Sequence, residues 1–175
     1  MSEASSNNGH AQGLCQKCGL CCNGVIFADV KLQSTDDPAK LRSLGLTLTN
    51  SGRRDLKFAQ PCVAFDGCRC RIYAERPRYC REFDCILLNN VIQGRVTREA
   101  ALRIIGNARE KAEEVRGLLR ALGDRDEQVA LASRFRKITH QFESTQLDDE
   151  TADLYGRLTL AVHDLNCLLS EAFYR

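Results

Sequence analysis

The chain has 175 residues, enough for one compact domain or a small domain with a helical extension, and its hydrophobic content of 43% is ordinary for a globular protein. With Trp absent and aromatics at 6%, the core must rest largely on Leu, Ile, Val and Ala. A formal net charge of +2 gives no global electrostatic argument for a membrane or for nucleic acid.

Residues 1–13, "MSEASSNNGHAQG", are small and polar, with no basic region followed by an apolar one. They read as a disordered tail and not as a signal peptide. No run approaches ~18 apolar residues, so no membrane span is expected and the default compartment is the cytoplasm. Residues 14–95 form a Cys-rich region that opens with "LCQKCGLCCNG". Next, "VIFADVKL" (25–32) carries strand-forming residues in partial alternation. "STDDPAKLRSLGL" (34–46) reads as a short helix, capped by Asp36 or Asp37, with Pro38 in its first turn and Gly45 at its end. An Asn-Ser-Gly turn predicts a hairpin from Leu46 to Phe58. The stretch 60–85 is turn-rich and reads as held by its cysteines more than by regular structure.

Residues 96–175 form a helical region. From Thr97 as cap, Ala101, Ile105, Ala108, Ala112, Val115, Leu118 and Leu122 recur at helical steps until Gly123. A second helix is expected to begin near Asp124 or Asp126 and to bury Val129, Ala132, Phe135, Ile138 and Phe142. A third should run from about Asp149 to Phe173, with Ala152, Tyr155, Leu158, Val162, Leu165 and Leu169 on its inner face. The fold class is therefore α+β and mostly helical. A small, irregular, metal-stapled Cys-rich domain with short strands precedes a three-helix antiparallel bundle, which packs on itself or against the Cys-rich half.

Nine of the ten cysteines lie between Cys15 and Cys85. In a reducing compartment such density points to metal more than to disulfides. Cys15 and Cys18, followed by Gly19, have the form of a metal knuckle, in which glycine takes the positive φ of the tight turn. Cys62, Cys68, Cys70, Cys80 and Cys85 form a second cluster that can close a coordination shell. Neighbouring side chains such as Cys21 and Cys22 tend to diverge, and Cys68 and Cys70 fit one ion poorly. Both pairs therefore point to different metals, or to bridging. Two four-thiolate sites would leave one of nine thiols spare; three tetrahedral zinc ions would use all nine with three of them bridging. Cys15, Cys18 and Cys21 also have the spacing that begins a bacterial ferredoxin run, without its x3-Cys-Pro ending. Spacing leaves zinc and iron–sulfur both open, with a slight preference for zinc. Arg69, Arg71, Arg76, Arg78 and Arg81 surround the second cluster and can offset thiolate charge.

Two stretches, "CQKCGLCC" and "PCVAFDGCRCRIYAERPRYCREFDC", resemble the CxxCxxCC family of zinc- or iron-chelating proteins over about residues 14–88. YkgJ-type cysteine-cluster proteins belong to that family, and flagellin lysine N-methylase carries a similar domain. The resemblance implies Cys15, Cys18, Cys21, Cys22, Cys62, Cys70, Cys80 and Cys85 as ligands and leaves Cys68 outside its pattern. His163 and Cys167 share a helix face, and a packed Cys beside a partly exposed His is the simpler reading. His10 and His140 have no assigned role. A thioredoxin-like use of Cys15 and Cys18 is disfavoured by Cys21 and Cys22 directly after them. No phosphate loop, dinucleotide fingerprint or nucleophile elbow occurs.

The expectation is a cytoplasmic metal-binding protein with a polynuclear thiolate site and a helical surface open to a protein partner. The alternatives are an iron–sulfur redox or protein-modifying component, which the methylase resemblance motivates, and a zinc-dependent nucleic-acid binder, which the near-neutral charge disfavours.

Overall fold

A computed structural model describes residues 13–50, 56–67 and 69–174. The expected tail, all but Gly13, lies outside the described residues, as do Cys68 and most of the Asn-Ser-Gly turn. Helix α1 is described over residues 13–18. Strand β1 (Asp29–Lys31), helix α2 (Pro38–Ser43), β2 (Thr49–Asn50) and β3 (Leu56–Ala59) follow. Then come a 3-10 turn (Tyr73–Glu75), α3 (Arg78–Glu82), α4 (Ile86–Ile92), α5 (Arg98–Ala121), α6 (Leu131–Phe142) and α7 (Asp149–Ala172). The architecture is α+β and mostly helical. Among the described residues no helix is long and apolar enough to cross a membrane.

Local chemistry explains most of these elements. The Asp37 carboxylate accepts from the backbone N–H of Ala39 and Lys40, with Pro38 opening α2. The helix closes at Gly45, whose φ of 94° lets Leu46 N–H reach back to the Leu41 carbonyl at 3.1 Å. β3 is the central strand, antiparallel to β1 and β2, with Val30 facing Phe58. The hairpin pairing expected between Leu46 and Phe58 is therefore present, although only β1 forms from the 25–32 stretch.

The helices α5 and α7 pack along each other, and Phe173, just beyond α7, lines the same cavity as Ile105 of α5. Thr97 caps α5 by accepting from Ala100 N–H at 3.2 Å. The buried face of α5 is the expected one, except that Leu119 replaces Leu122 as its last buried member. α7 buries Leu158, Ala161, Leu165 and Leu169, while Ala152 is exposed.

Two expectations for α6 are corrected. The helix begins at Leu131, not near Asp124 or Asp126, because Asp124 is buried and serves as acceptor for Arg134. Arg134 Nε donates to Asp124 Oδ1 at 2.8 Å, Nη2 to the Asp124 carbonyl at 3.0 Å, and Nη1 to Glu127 Oε2 at 2.9 Å. The inner face is consequently Leu131, Arg134 and Ile138, while Val129 and Ala132 are exposed. An arginine that buries its stem and pairs its head occupies a position that apolar periodicity does not see.

The described residues form two hydrophobic cores. One joins the helices to the N-terminal stretch through Leu14, Leu20 and Val25, and to α4 through Leu87 and Leu88. The other lies under the small sheet and contains Val30, Leu41, Leu46, Phe58, Cys62 and Ala64.

Candidate metal centre

The knuckle is two successive turns. Gly19, at φ 69°, ends α1 and donates to the Cys15 carbonyl at 3.3 Å; its own carbonyl accepts from Cys22 and Asn23 N–H at 2.9 and 3.0 Å. Leu14 and Leu20 anchor the two turns in the helical core. The Phe65 ring lies directly against Gly19, so that a Cβ there would sit 2.6 Å from Phe65 Cζ. Behind the knuckle, Leu131 N–H donates to the Gly24 carbonyl at 2.9 Å and Arg116 Nη2 to the Asn23 carbonyl at 3.2 Å, so α6 and α5 hold the loop in place.

The second cluster meets the first through one backbone bond, Cys62 N–H to the Cys22 carbonyl at 2.8 Å. Cys62 and Cys70 stand on the two arms of a tight loop closed by Phe65 N–H to the Cys62 carbonyl (2.9 Å), Arg71 N–H to the Ala64 carbonyl (2.8 Å) and pairing of Phe65 with Cys70. Cys80 is on α3, which is tied to the sheet side by Arg78 N–H donating to Asp36 Oδ1 at 2.8 Å. Cys85 caps α4, its Sγ accepting from Leu88 N–H at 3.4 Å.

Eight thiols are thereby gathered, and they sort into two quartets. Burial pushes the Cys15 thiol up to about 12, and the nearby Cys85 and Cys18 add to the rise. Burial raises Cys18 to about 11, with Cys85 again a neighbour. Cys21, also raised by burial, has Cys18, Cys22, Cys85 and Cys15 around it. On the other side, burial lifts Cys22 to about 12, and its thiol neighbours are Cys62, Cys70 and Cys80. Cys80, lifted by burial to about 12, faces Cys62 and Cys70. The thiols of Cys62 and Cys85 are also raised by burial, opposed by backbone N–H groups that include Phe65 and Leu88 respectively. One quartet is Cys15, Cys18, Cys21 and Cys85; the other is Cys22, Cys62, Cys70 and Cys80. The two cores divide six of the eight the same way. Cys15, Cys18 and Cys85 pack against the helical core, whereas Cys22, Cys62 and Cys80 belong to the core under the sheet. The Cys21–Cys22 peptide joins the quartets.

Seven of these thiols, all but Cys62, line one cavity of about 310 Å³. Arg76 also lines it, and its charge pulls down Cys15 in one quartet and Cys22 and Cys80 in the other. The guanidinium is fixed 3.5 Å over the Tyr73 ring, with Nε donating to the Tyr73 carbonyl at 2.8 Å and Nη1 to the Cys80 carbonyl at 3.4 Å. The other arginines of the cluster are used differently. Arg71 donates to the Val63 carbonyl, Arg78 pairs with Glu82, Arg69 turns to a second cavity, and Arg81 lines the first. Arg109 of α5, whose charge lowers Cys18, is a contributor that its helical spacing does not single out.

The donor set fits a soft metal: two groups of four thiols, Cys62 buried and the others half-buried, unbridged by disulfides, with a fixed cation between them. Gln60 Oε1, in the same lining, is a buried acceptor without a hydrogen-bond partner. Among the described residues no three His, Cys, Asp or Glu side chains are close enough to hold an ion as they stand, so the thiols face a shared space without converging on a point. Cys68 lies outside the described residues. Cys167 is exposed, not packed, because its helix turns that face outward; its Sγ is 3.5 Å from His163 Nε2, far along α7 from the gathered thiols in sequence.

Comparison with known families gives one match: the model of the CxxCxxCC family, described as a "putative zinc- or iron-chelating domain", matches residues 14–105, just over half of the chain. No curated protein and no solved structure matches.

Proposed function

The chain belongs to the CxxCxxCC family, and on that premise we propose that it is a metal-binding protein with two zinc centres, each held by one thiol quartet. The observation that carries the reading is the sorting of eight thiols into two groups of four by their neighbours, with three of each group also packed at one hydrophobic core. Four is the number a closed tetrahedral thiolate site uses. Bound zinc would supply folding free energy, joining loops that the short strands alone hold weakly. The chain's own part is to shield the thiols, aim seven of them at one space with Cys62 beside it, and set Arg76 between the groups to offset excess thiolate charge. Protons held by thiols raised to 11 or 12 must leave as metal enters, so loading releases acid. The compartment that suits this role is the cytoplasm, where thiols stay reduced and free to bind metal.

A second reading, an iron–sulfur centre with a redox or protein-modifying role, draws on the cavity itself: about 310 Å³ is more room than bare ions need. Inorganic sulfide would fill it and space the thiolates apart.

Anaerobic purification with metal and sulfide analysis separates the two. The expected result is a colourless protein with two zinc ions per chain. Cys85→Ser should lose one ion and keep the other, and Cys80→Ser should do the same at the second quartet. A brown protein with acid-labile sulfide would overturn the zinc reading. Loss of both ions from either variant would overturn the division into separate quartets.

A further inference from the structure

The wall of the thiol cavity has a second side. Gln16 and Ile105 line both the thiol cavity and a neighbouring one of about 580 Å³. On α1, Cys15 and Cys18 line the first, whereas Lys17 lines the second. Four cationic side chains, Lys17, Arg69, Arg98 and Arg109, surround this second space, and no Asp or Glu is among its lining residues. None of the four makes an ion pair among the described residues. Arg98 Nε is buried and has no hydrogen-bond partner. Arg98 also opens the 24-residue helix α5, where the helix dipole favours an anion and disfavours a cation.

Four like charges around one cleft, with no carboxylate in its lining and Asp66 as the neighbouring acid on the backbone N–H of Arg69, raise the local potential and attract an anion. A single carboxylate would balance only one of them. A linked pair of phosphates carries about three charges and offers several acceptors for guanidinium forks, and the cavity falls within the roughly 300–1,000 Å³ range of small-molecule sites. We propose that this cavity binds an oligophosphate: the diphosphate unit of free pyrophosphate or of a nucleoside diphosphate. The proposal does not depend on which metal the thiols hold, but it places the bound anion one helix away from Cys15 and Cys18.

The test is calorimetric titration of the full-length protein, with its metals as purified, against pyrophosphate, ADP and sulfate at matched ionic strength. Metal content is measured before and after, so that extraction of metal is not read as binding. Expected is saturation at one site per chain with Kd at or below about 100 µM for pyrophosphate or ADP, and weakening as salt rises. A tighter ADP isotherm assigns the nucleotide as source; an equal or weaker one assigns free pyrophosphate. Arg98→Gln should weaken binding about tenfold or more, and Lys17→Gln, at an exposed position where folding is not at risk, several-fold. No saturable binding up to about 5 mM, equal binding of sulfate, or wild-type affinity in the Lys17 and Arg98 variants would each overturn the proposal. Displacement of pyrophosphate by a short single-stranded RNA at far lower concentration would overturn it in favour of a nucleic-acid surface.

Discussion

Gly19→Ala perturbs the knuckle in two separable ways. The backbone there has φ 69°, a conformation that costs an L-residue with a Cβ about 1–2 kcal/mol. The new methyl would also lie 2.6 Å from Phe65 Cζ and 3.0 Å from Cε2, well inside the ~3.5–4.0 Å of a relaxed carbon contact. Phe65 packs against the core under the sheet and cannot swing away freely, so overpacking should add about 1–3 kcal/mol. The total is about 2–5 kcal/mol, and with a urea dependence of about 2 kcal/mol/M the midpoint should fall by roughly 1–2.5 M. Urea unfolding followed by circular dichroism, at fixed protein and metal concentration, measures it. The double variant Gly19→Ala/Phe65→Leu removes the ring contact but not the backbone strain, so it should lie closer to a Phe65→Leu control than Gly19→Ala lies to the wild type. An unchanged midpoint in Gly19→Ala, or no narrowing of that gap in the double variant, would refute the reasoning.

Three further outcomes are expected. Arg76→Gln should lower metal affinity at both quartets by about 10–100-fold, read by chelator competition, because its guanidinium faces Cys15 as well as Cys22 and Cys80. Asp124→Ala leaves Arg134 buried with only its Glu127 carboxylate contact and should cost about 3–5 kcal/mol by thermal or urea unfolding. Burial alone would raise the Asp124 carboxyl, but hydrogen bonds from Arg134, Asp126 N–H and Lys137 outweigh it and hold it below its ordinary 3.8; the stability this gives is present above pH 3.8 and lost as pH falls below it. Metal-free, reduced protein should lose stability as pH rises from 9.0 toward about 12. In that range the unfolded thiols ionise while buried Cys15, Cys22 and Cys80 stay protonated, and an alkaline series of unfolding midpoints tests it.

Much of this was legible in residues alone where one local cause acts. Thr97 and Asp37 carry side chains made for capping, and both cap. The α5 stripe is apolar at each helical step, and it is buried. Reading fails where a distant partner decides. Asp124 looks like a helix start until Arg134, ten residues on, claims it. Residues 86–95 show no element by periodicity or capping, yet α4 forms there; seven residues show little periodicity, and its cap is a thiol in place of the usual hydroxyl or carboxylate. In the site, the adjacency of Cys21 and Cys22 already argues for divergent directions. Which remote cysteine joins which knuckle thiol does not follow from spacing. Cys85 joins the first quartet only because α4 is drawn to the helical core by Leu87 and Leu88. Arg76 is one arginine among five until Tyr73 and the Cys80 carbonyl fix it.

The place of Phe173 has a consequence for the order of events during synthesis. Its ring, 1% exposed, closes part of the cavity lined by thiols that emerge from the ribosome roughly 90 to 160 residues earlier. Leu14 and Leu20, which seat the knuckle, belong to a core that is complete only when α5 and α7 exist. The first quartet is therefore translated early and covered last. Until α7 has been made, its cysteines are open to metal, to oxidant and to one another, and that helix is what shuts them away.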